Sequence, residues 1–392
     1  MNILSQATYD FLSRHPDDDP LKLLLQQGRY PDVDMRMIAQ QLEGRRQAQE
    51  KWPSLCDREG YLFPPKINRE QSSSEATAQY KASLVAQGET TADLTGGMGI
   101  DSLFFAQKAS RVDYCEMDPD VFELCRHNFQ ALKADNISCH LGDSIAWLET
   151  QKEPHDVIFI DPARRDANGH KVQAFEDCTP NLLMHLDLLR NHCRRLIVKA
   201  SPMIDITLGT NQLKEVSQVH IIAAKGECKE VLFVVEPTVS PCQYYCIDIQ
   251  PDTTHLLSFT PEEEQNASLM TASQIKHYLY EPHAALMKGG ALRILCSKFE
   301  VEKLGRNSHL YTSEALVSDF PGRIFEVETT LSVNSKEINR LLPQRKVHLL
   351  CKNYPFTTAL LQKKLRLIEG GHQHLICTRL GDSPIGILCH KI

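Results

Sequence analysis

Thr91-Ala92-Asp93-Leu94-Thr95-Gly96-Gly97-Met98-Gly99-Ile100-Asp101 places three glycines in four positions directly after a short apolar run. This spacing predicts a strand ending at Asp93, a turn through Gly96, Gly97 and Gly99, and a helix turning Leu103, Phe104, Phe105 and Ala106 inward. Glycine suits such a turn because it adopts positive φ freely and has no Cβ to hold a ligand off the backbone. The helix that follows opens with free N–H groups and a positive dipole end, which attract polar and anionic groups. Strand, glycine turn and helix in that order predict a nucleotide-type cofactor site. Dehydrogenases, flavoproteins and methyltransferases all use one.

The next few strands narrow the choice. Residues 111–116, R-V-D-Y-C-E, read as a second strand whose final acid, Glu116, can accept both hydroxyls of a ribose. Residues 137–141 predict a third strand with Asp143 at its tip, and residues 155–160, H-D-V-I-F-I, a fourth that delivers Asp161-Pro162. Residues 195–200 predict a fifth. Open α/β sheets bind ligands at the carboxyl ends of their strands, and four of these five ends carry an acid or the glycine turn. Residues 216–223 and 230–235 then read as strands separated by only residues 224–229. That gap is too short for a crossover helix, so the pair is expected to be antiparallel. A dinucleotide-binding sheet would continue with another helix instead.

On these motifs, residues 76–240 resemble a class I S-adenosylmethionine-dependent methyltransferase domain. The loop from Asp93 to Asp101 resembles the first motif of that family, Glu116 its ribose acid, Asp143 its adenine contact, and Asp161-Pro162-Ala163-Arg164 its D-P-P-type fourth motif. The resemblance implies an α/β fold: a Rossmann-like sheet with an antiparallel terminal hairpin, flanked by an N-terminal helical region and C-terminal α+β domains. It implies S-adenosylmethionine as cofactor, held by Asp93, Thr95, Gly96, Gly97, Gly99, Asp101, Glu116, Met117, Asp143 and Ser144, with Asp161 and Pro162 at the reacting end. Two departures stand out. Thr95 replaces a glycine common in the family loop. The fourth motif lacks its second proline and the aromatic that stacks on a target base, which leaves the acceptor open.

The chain has 392 residues, enough for two to four domains. Its 42% hydrophobic and 24% charged content is that of an ordinary globular protein. No run approaches the roughly 20 apolar residues of a membrane helix, and the first residues lack a secretory pattern, so the expected location is cytoplasmic and away from membranes. Thirteen cysteines lie at scattered spacing without a C-x-x-C pair, as expected of reduced thiols and no metal centre. Net charge is −7, yet residues 323–392 hold eleven Lys and Arg against five Asp and Glu, so this segment carries +6 and the remainder −13. Such asymmetry predicts a dedicated anion-binding module.

Four domains are expected: helical residues 1–75, the methyltransferase-like 76–240, a small α+β unit over 241–322, and 323–392. In the first, Asp19-Pro20 opens a helix, residues 34–51 form an amphipathic one, and Ser72-x-x-Glu75 predicts a capping box. Residues 261–266 read as a polar break, 276–287 as helix, 291–296 as strand and 313–319 as helix. Strands near 347–352, 374–379 and 385–390, with a helix over 357–367, complete the chain. Asn353-Tyr354-Pro355, Lys363-Lys364-Leu365-Arg366 and Glu369-Gly370-Gly371 make the last segment resemble a THUMP-like domain. The order of domains resembles one bacterial methyltransferase family along nearly its whole length.

Methyl transfer from a sulfonium is an in-line displacement, so the protein supplies binding, alignment and a dry pocket. In the resulting reading, Asp93 reaches the cofactor's amino group and Asp161 accepts a hydrogen bond from an acceptor amine. Arg164, Arg165, Lys363 and Lys364 would contact the phosphates of a transfer or ribosomal RNA. The alternative acceptor is a protein or small molecule, with the tail as a protein-interaction module. No cysteine lies in the Asp161–Arg164 loop or at 199–202, which argues against a covalent thiolate mechanism.

Overall fold

A computed structural model describes residues 4–163, 175–237 and 240–392. The chain divides into two compact units, Met1–Val216 with Leu232–Thr238, and Ser217–Val231 with Val239–Ile392.

The first unit opens with helices Gln6–Arg14, Pro20–Leu24 and Met35–Lys51. Asp19 and Asp34 cap the second and third through backbone N–H groups two and three positions on, and Pro20 occupies the first turn, where its missing N–H costs nothing. Phe11, Leu23, Val33, Met35, Ile38 and Leu42 form the core of this bundle. Residues 61–65 have no regular secondary structure, and helix Lys66–Gln71 follows. The expected capping box of Ser72 and Glu75 does not form. Ser72 ends Lys66–Gln71, and Ser74 caps Glu75–Ser83 by accepting from the N–H of Thr77.

Five parallel strands come next: β1 Thr90–Asp93, β2 Arg111–Glu116, β3 Ile137–Leu141, β4 His155–Ile160 and β5 Cys193–Ala200. Their order is β3-β2-β1-β4-β5, with β1 between β2 and β4. The direction of progression therefore reverses at β1, the position where open α/β sheets bind ligands outside the strand ends. Val157, Ile158, Phe159 and Ile160 are all buried, as an unbroken apolar run in a sheet covered on both faces requires. Helix Ile100–Phe105 packs on the sheet through Phe105, whose ring meets that of Phe159 edge-on at 5.3 Å.

β6 Val216–Ala224 and β7 Glu227–Val235 are joined by Lys225 and Gly226 alone. Both joining residues have positive φ, 54° and 78°, the signature of a tight two-residue hairpin. The expected antiparallel pair is present, with longer strands and a shorter connection than the apolar runs suggest. The boundary between the two units falls inside β7.

In the second unit, β8 Gln243–Ile249 runs parallel to β6, and β9 Thr254–Phe259 is antiparallel to β8. A second sheet contains β10 Tyr278–Pro282, β11 Glu302–Lys303, β12 Tyr311–Ser313, β13 Gly322–Leu331, β14 His348–Cys351, β15 Gln373–Leu380 and β16 Ser383–Lys391, in the order β11-β12-β10-β13-β16-β15-β14. Several local expectations fail here. Residues 278–282 are a strand because β10 pairs with both β12 and β13 and buries Leu279 and Tyr280. Residues 293–299 are a helix, residues 314–319 are irregular, and Pro261–Asn266 is a helix opened by a full capping box on Thr260 and Glu263. Tertiary pairing overrides propensity in such short segments.

Candidate active site

The glycine turn is built by contacts from the strands on either side of β1. Asp93, at the tip of β1, is buried; its Oδ1 accepts from the N–H of Thr95 at 3.1 Å and its Oδ2 from the hydroxyl of Ser102 at 2.6 Å. One carboxylate thus braces both ends of the turn. Gly97 and Gly99 have φ of +51° and +73°, a conformation that a Cβ penalises. Gly96 and Gly99 are also needed for packing. A Cβ on Gly96 would stand 2.1 Å from the Tyr114 ring, and one on Gly99 2.6 Å from Phe129. Gly97 differs: a Cβ there meets nothing nearer than the carbonyl of Thr95 at 3.8 Å, so it would project into open space.

Glu116, at the tip of β2, accepts from the N–H of Gly97 at 2.8 Å through Oε2, and from the N–H groups of Met117 and Asp118 through Oε1. Tyr114 donates its hydroxyl to the carbonyl of Gly97 at 2.7 Å. Asp143 caps helix Ser144–Glu149 through Oδ1, which accepts from Ile145 and Ala146; Ser144 is buried at the helix start, and Met117 is exposed. Thr95 does not stand apart as a substitute for a missing glycine. Its Oγ1 accepts from the N–H of Asp161 at 2.7 Å and joins the tips of β1 and β4.

Asp161 makes an ion pair of 2.5 Å between its Oδ2 and Nζ of Lys199 at the tip of β5. The lysine side chain is 6% exposed and the carboxylate 26%. Pro162 is buried, and Ala163 forms a reciprocal backbone bridge with Thr179. Asp101 faces a second buried lysine: Lys81 Nζ lies 3.2 Å from its Oδ1 and donates to Ser73 Oγ at 2.9 Å, while Ser73 donates to Asp101 Oδ2 at 2.7 Å. Asp101 therefore locks helix Glu75–Ser83 to the helix after the turn. Burial, with Asp101 and Asp161 nearby, pushes the Asp93 carboxyl up to about 7 against the hydrogen bonds from Ser102 and Thr95.

Asp93, Thr95, Gly96, Gly97, Gly99, Glu116 and Asp161 converge around one turn, and Asp143 stands at the end of β3. Arg164 and Arg165 lie outside the described residues. Lys363 and Lys364 are exposed on helix Thr358–Leu365 in the second unit, where Lys364 lies 4.6 Å over the Phe356 ring. Arg366 does not extend that helix; it ends it in the left-handed conformation. Lys81 and Lys199 are the site residues that sequence reasoning missed. Lys199 could have been found by asking which basic residues end a predicted apolar strand. Lys81 carries no such signal. Among the described residues no helix is long and apolar enough to cross a membrane.

Comparison with known proteins places this geometry in context. A ferredoxin-like domain family matches residues 278–321, and a THUMP domain-like family matches residues 322–391. A Porphyromonas gingivalis W83 protein, whose crystal structure is described as that of a "putative methyltransferase", is 30% identical, with a TM-score of 0.88 over 98% of this chain and 97% of its own. Two Mycobacterium tuberculosis proteins, from strains CDC 1551 and H37Rv, are described as uncharacterized S-adenosylmethionine-dependent methyltransferases. Each is 28% identical over 189 residues, 47% of this chain and 50% of theirs. A Mycoplasma mobile protein described as an uncharacterized RNA methyltransferase is 25% identical over 156 residues, 39% of this chain and 42% of its own. The chain thus spans about half the length of the curated relatives it matches.

Proposed function

From the premise that this chain belongs to the class I methyltransferase family with ferredoxin-like and THUMP-like domains, we propose that it moves a methyl group from S-adenosylmethionine to a base amine of transfer or ribosomal RNA. The observation that carries the reading is the turn at Gly97. It is open on its Cα side and is held by Glu116 and Asp93 from two neighbouring strands. Bound S-adenosylmethionine supplies an electrophilic methyl group on sulfur. Glu116 Oε2 keeps a lone pair after accepting from Gly97 and suits a ribose hydroxyl; Asp143 keeps Oδ2 for an adenine amine. Asp93 and Asp101 would order the turn, and Asp93 offers negative charge to an ammonium group.

Asp161 and Pro162 would hold the acceptor. With Oδ2 occupied by Lys199, Oδ1 is left to accept from an amine N–H and aim the nitrogen lone pair. The lysine cation orients the carboxylate, so the pair serves alignment. Lys363 and Lys364, which form no ion pair among the described residues, would contact RNA phosphate, with Arg164 and Arg165 as further phosphate contacts.

A transfer assay with methyl-labelled S-adenosylmethionine and cell extract tests the proposal. Label is expected in material destroyed by ribonuclease and spared by protease. Label removed by protease alone would instead identify a protein acceptor, the reading favoured by the missing aromatic after Asp161.

A further inference from the structure

Two thiols stand side by side at the edge of the second sheet. β14 and β15 run parallel, and Cys351 is the register partner of Cys377. Neighbouring strands lie about 4.8 Å apart, within the roughly 4.4–6.8 Å Cα separation that a disulfide spans. Both side chains belong to the core between this sheet edge and helix Thr358–Leu365. Cys377 is buried there with Leu349, Leu361 and Leu365, and Cys351 and Tyr354 pack against it. The neighbouring Cys377 thiol, with the side chain of Thr358 at the start of that helix, holds the Cys351 thiol below its ordinary range although burial opposes this; the Cys351 thiol and burial push Cys377 up. β14 ends the sheet order, so Cys351 is half-buried on an edge strand while its partner is sealed inside. An accessible thiol with thiolate character next to a resolving thiol is the arrangement of redox-responsive cysteines.

We propose that Cys351 and Cys377 form a reversible thiol–disulfide switch that responds to hydroperoxides. The Cys351 thiolate attacks the peroxide O–O bond, becomes a sulfenic acid and releases hydroxide, which is protonated to water. The Cys377 sulfur then attacks the sulfenic sulfur, loses its proton and expels a second water. Two thiols are oxidised to one disulfide as one hydrogen peroxide is reduced to two waters. A dithiol reductant reverses the change by exchange. The crosslink would pin the edge strand β14 to β15 beneath the helix that carries Lys363 and Lys364.

The test uses the full chain, reduced, freed of reductant and treated with hydrogen peroxide. Remaining thiols are alkylated and the peptides mapped by mass spectrometry. The expected result is a linked Cys351–Cys377 peptide pair that dithiothreitol removes. It should be absent in Cys351→Ser, and in Cys377→Ser dimedone should trap a sulfenic acid on Cys351. Because Cys377 lies in the core, Cys351→Ser at the edge strand provides the decisive variant if the other fails to fold. Recovery of both residues as alkylated thiols while other cysteines oxidise would overturn the proposal, as would a link from either one to a different cysteine. These outcomes are read without methyl transfer or RNA, so they stand apart from the proposed function.

Discussion

At the scale of single residues, Asp93 and Gly97 bear the most weight. Asp93 is raised from its ordinary 3.8 to about 7 by burial and by neighbouring Asp101 and Asp161. A carboxyl whose folded pKa lies above its unfolded one favours the fold in its protonated form. That contribution is full below pH about 4 and is lost as pH rises through about 7, on the order of 4 kcal/mol in all. Urea unfolding of wild type and Asp93→Asn at pH 4, 5.5 and 7 should show wild type losing stability with pH relative to the variant; parallel curves would refute the assignment. A ligand ammonium beside Asp93 would displace its proton, so cofactor affinity should also weaken as pH falls below about 7. Gly97→Val probes the open face of the turn. Because a Cβ there meets only the Thr95 carbonyl at 3.8 Å, steric damage inside the protein is small, and the positive φ costs about 1–2 kcal/mol. Titration calorimetry should find S-adenosylmethionine binding weakened by about tenfold or more, about 1.4 kcal/mol, with the fold retained.

At the scale of elements, the site is a set of strand tips tied sideways. β1 joins β2 through Gly97 and Glu116, β4 through Thr95 and Asp161, and β4 joins β5 through Asp161 and Lys199. Removing one tie should leave the sheet standing and misplace its tip. Lys199→Met is expected to lower methyl transfer on the order of 10²-fold while changing cofactor affinity by only a few fold, and Lys199→Arg should restore part of the rate. An equal loss of affinity and rate would show that the lysine serves folding alone. Gly96→Ala tests the tie to β2 differently, because its new Cβ would overlap the Tyr114 ring. The expected cost is about 1–3 kcal/mol of overpacking, read in denaturant unfolding.

Most of this arrangement was legible in the chain because its parts are contiguous. The strand end, its acid, the turn and the start of the helix occupy eleven consecutive residues, and three of the four following strands of the parallel set end at an acid. The Asp161–Lys199 pair spans 38 positions. Nothing local links its members, and only strand order makes them neighbours. The second unit was less legible for the same reason. Residues 278–282 carry no strand signal strong enough to stand alone and become a strand because β12 and β13 flank them.

On the scale of the whole molecule, charge is unevenly distributed along the chain. The +6 of residues 323–392 sits in a chain of net charge −7, and Lys363 and Lys364 project from an exposed helix face. If these residues contact phosphate, the full-length Lys363→Glu/Lys364→Glu variant should bind total cellular RNA more weakly in filter retention. Its dependence of log affinity on log salt should be shallower by about 0.7 for each lost contact. Unchanged salt dependence would remove the helix from the interface.

The linear sequence was enough to specify a parallel sheet entered through a glycine turn, closed by a hairpin and followed by a basic tail. Glycine spacing, apolar run length and charge are local properties, and short connections leave few ways to arrange them. Tertiary structure alone determined which lysine faces Asp161, which serine caps the helix before β1, and which two cysteines share a register position. Each depends on side chains brought together by packing and strand register, and a single chain read end to end does not carry that distance information.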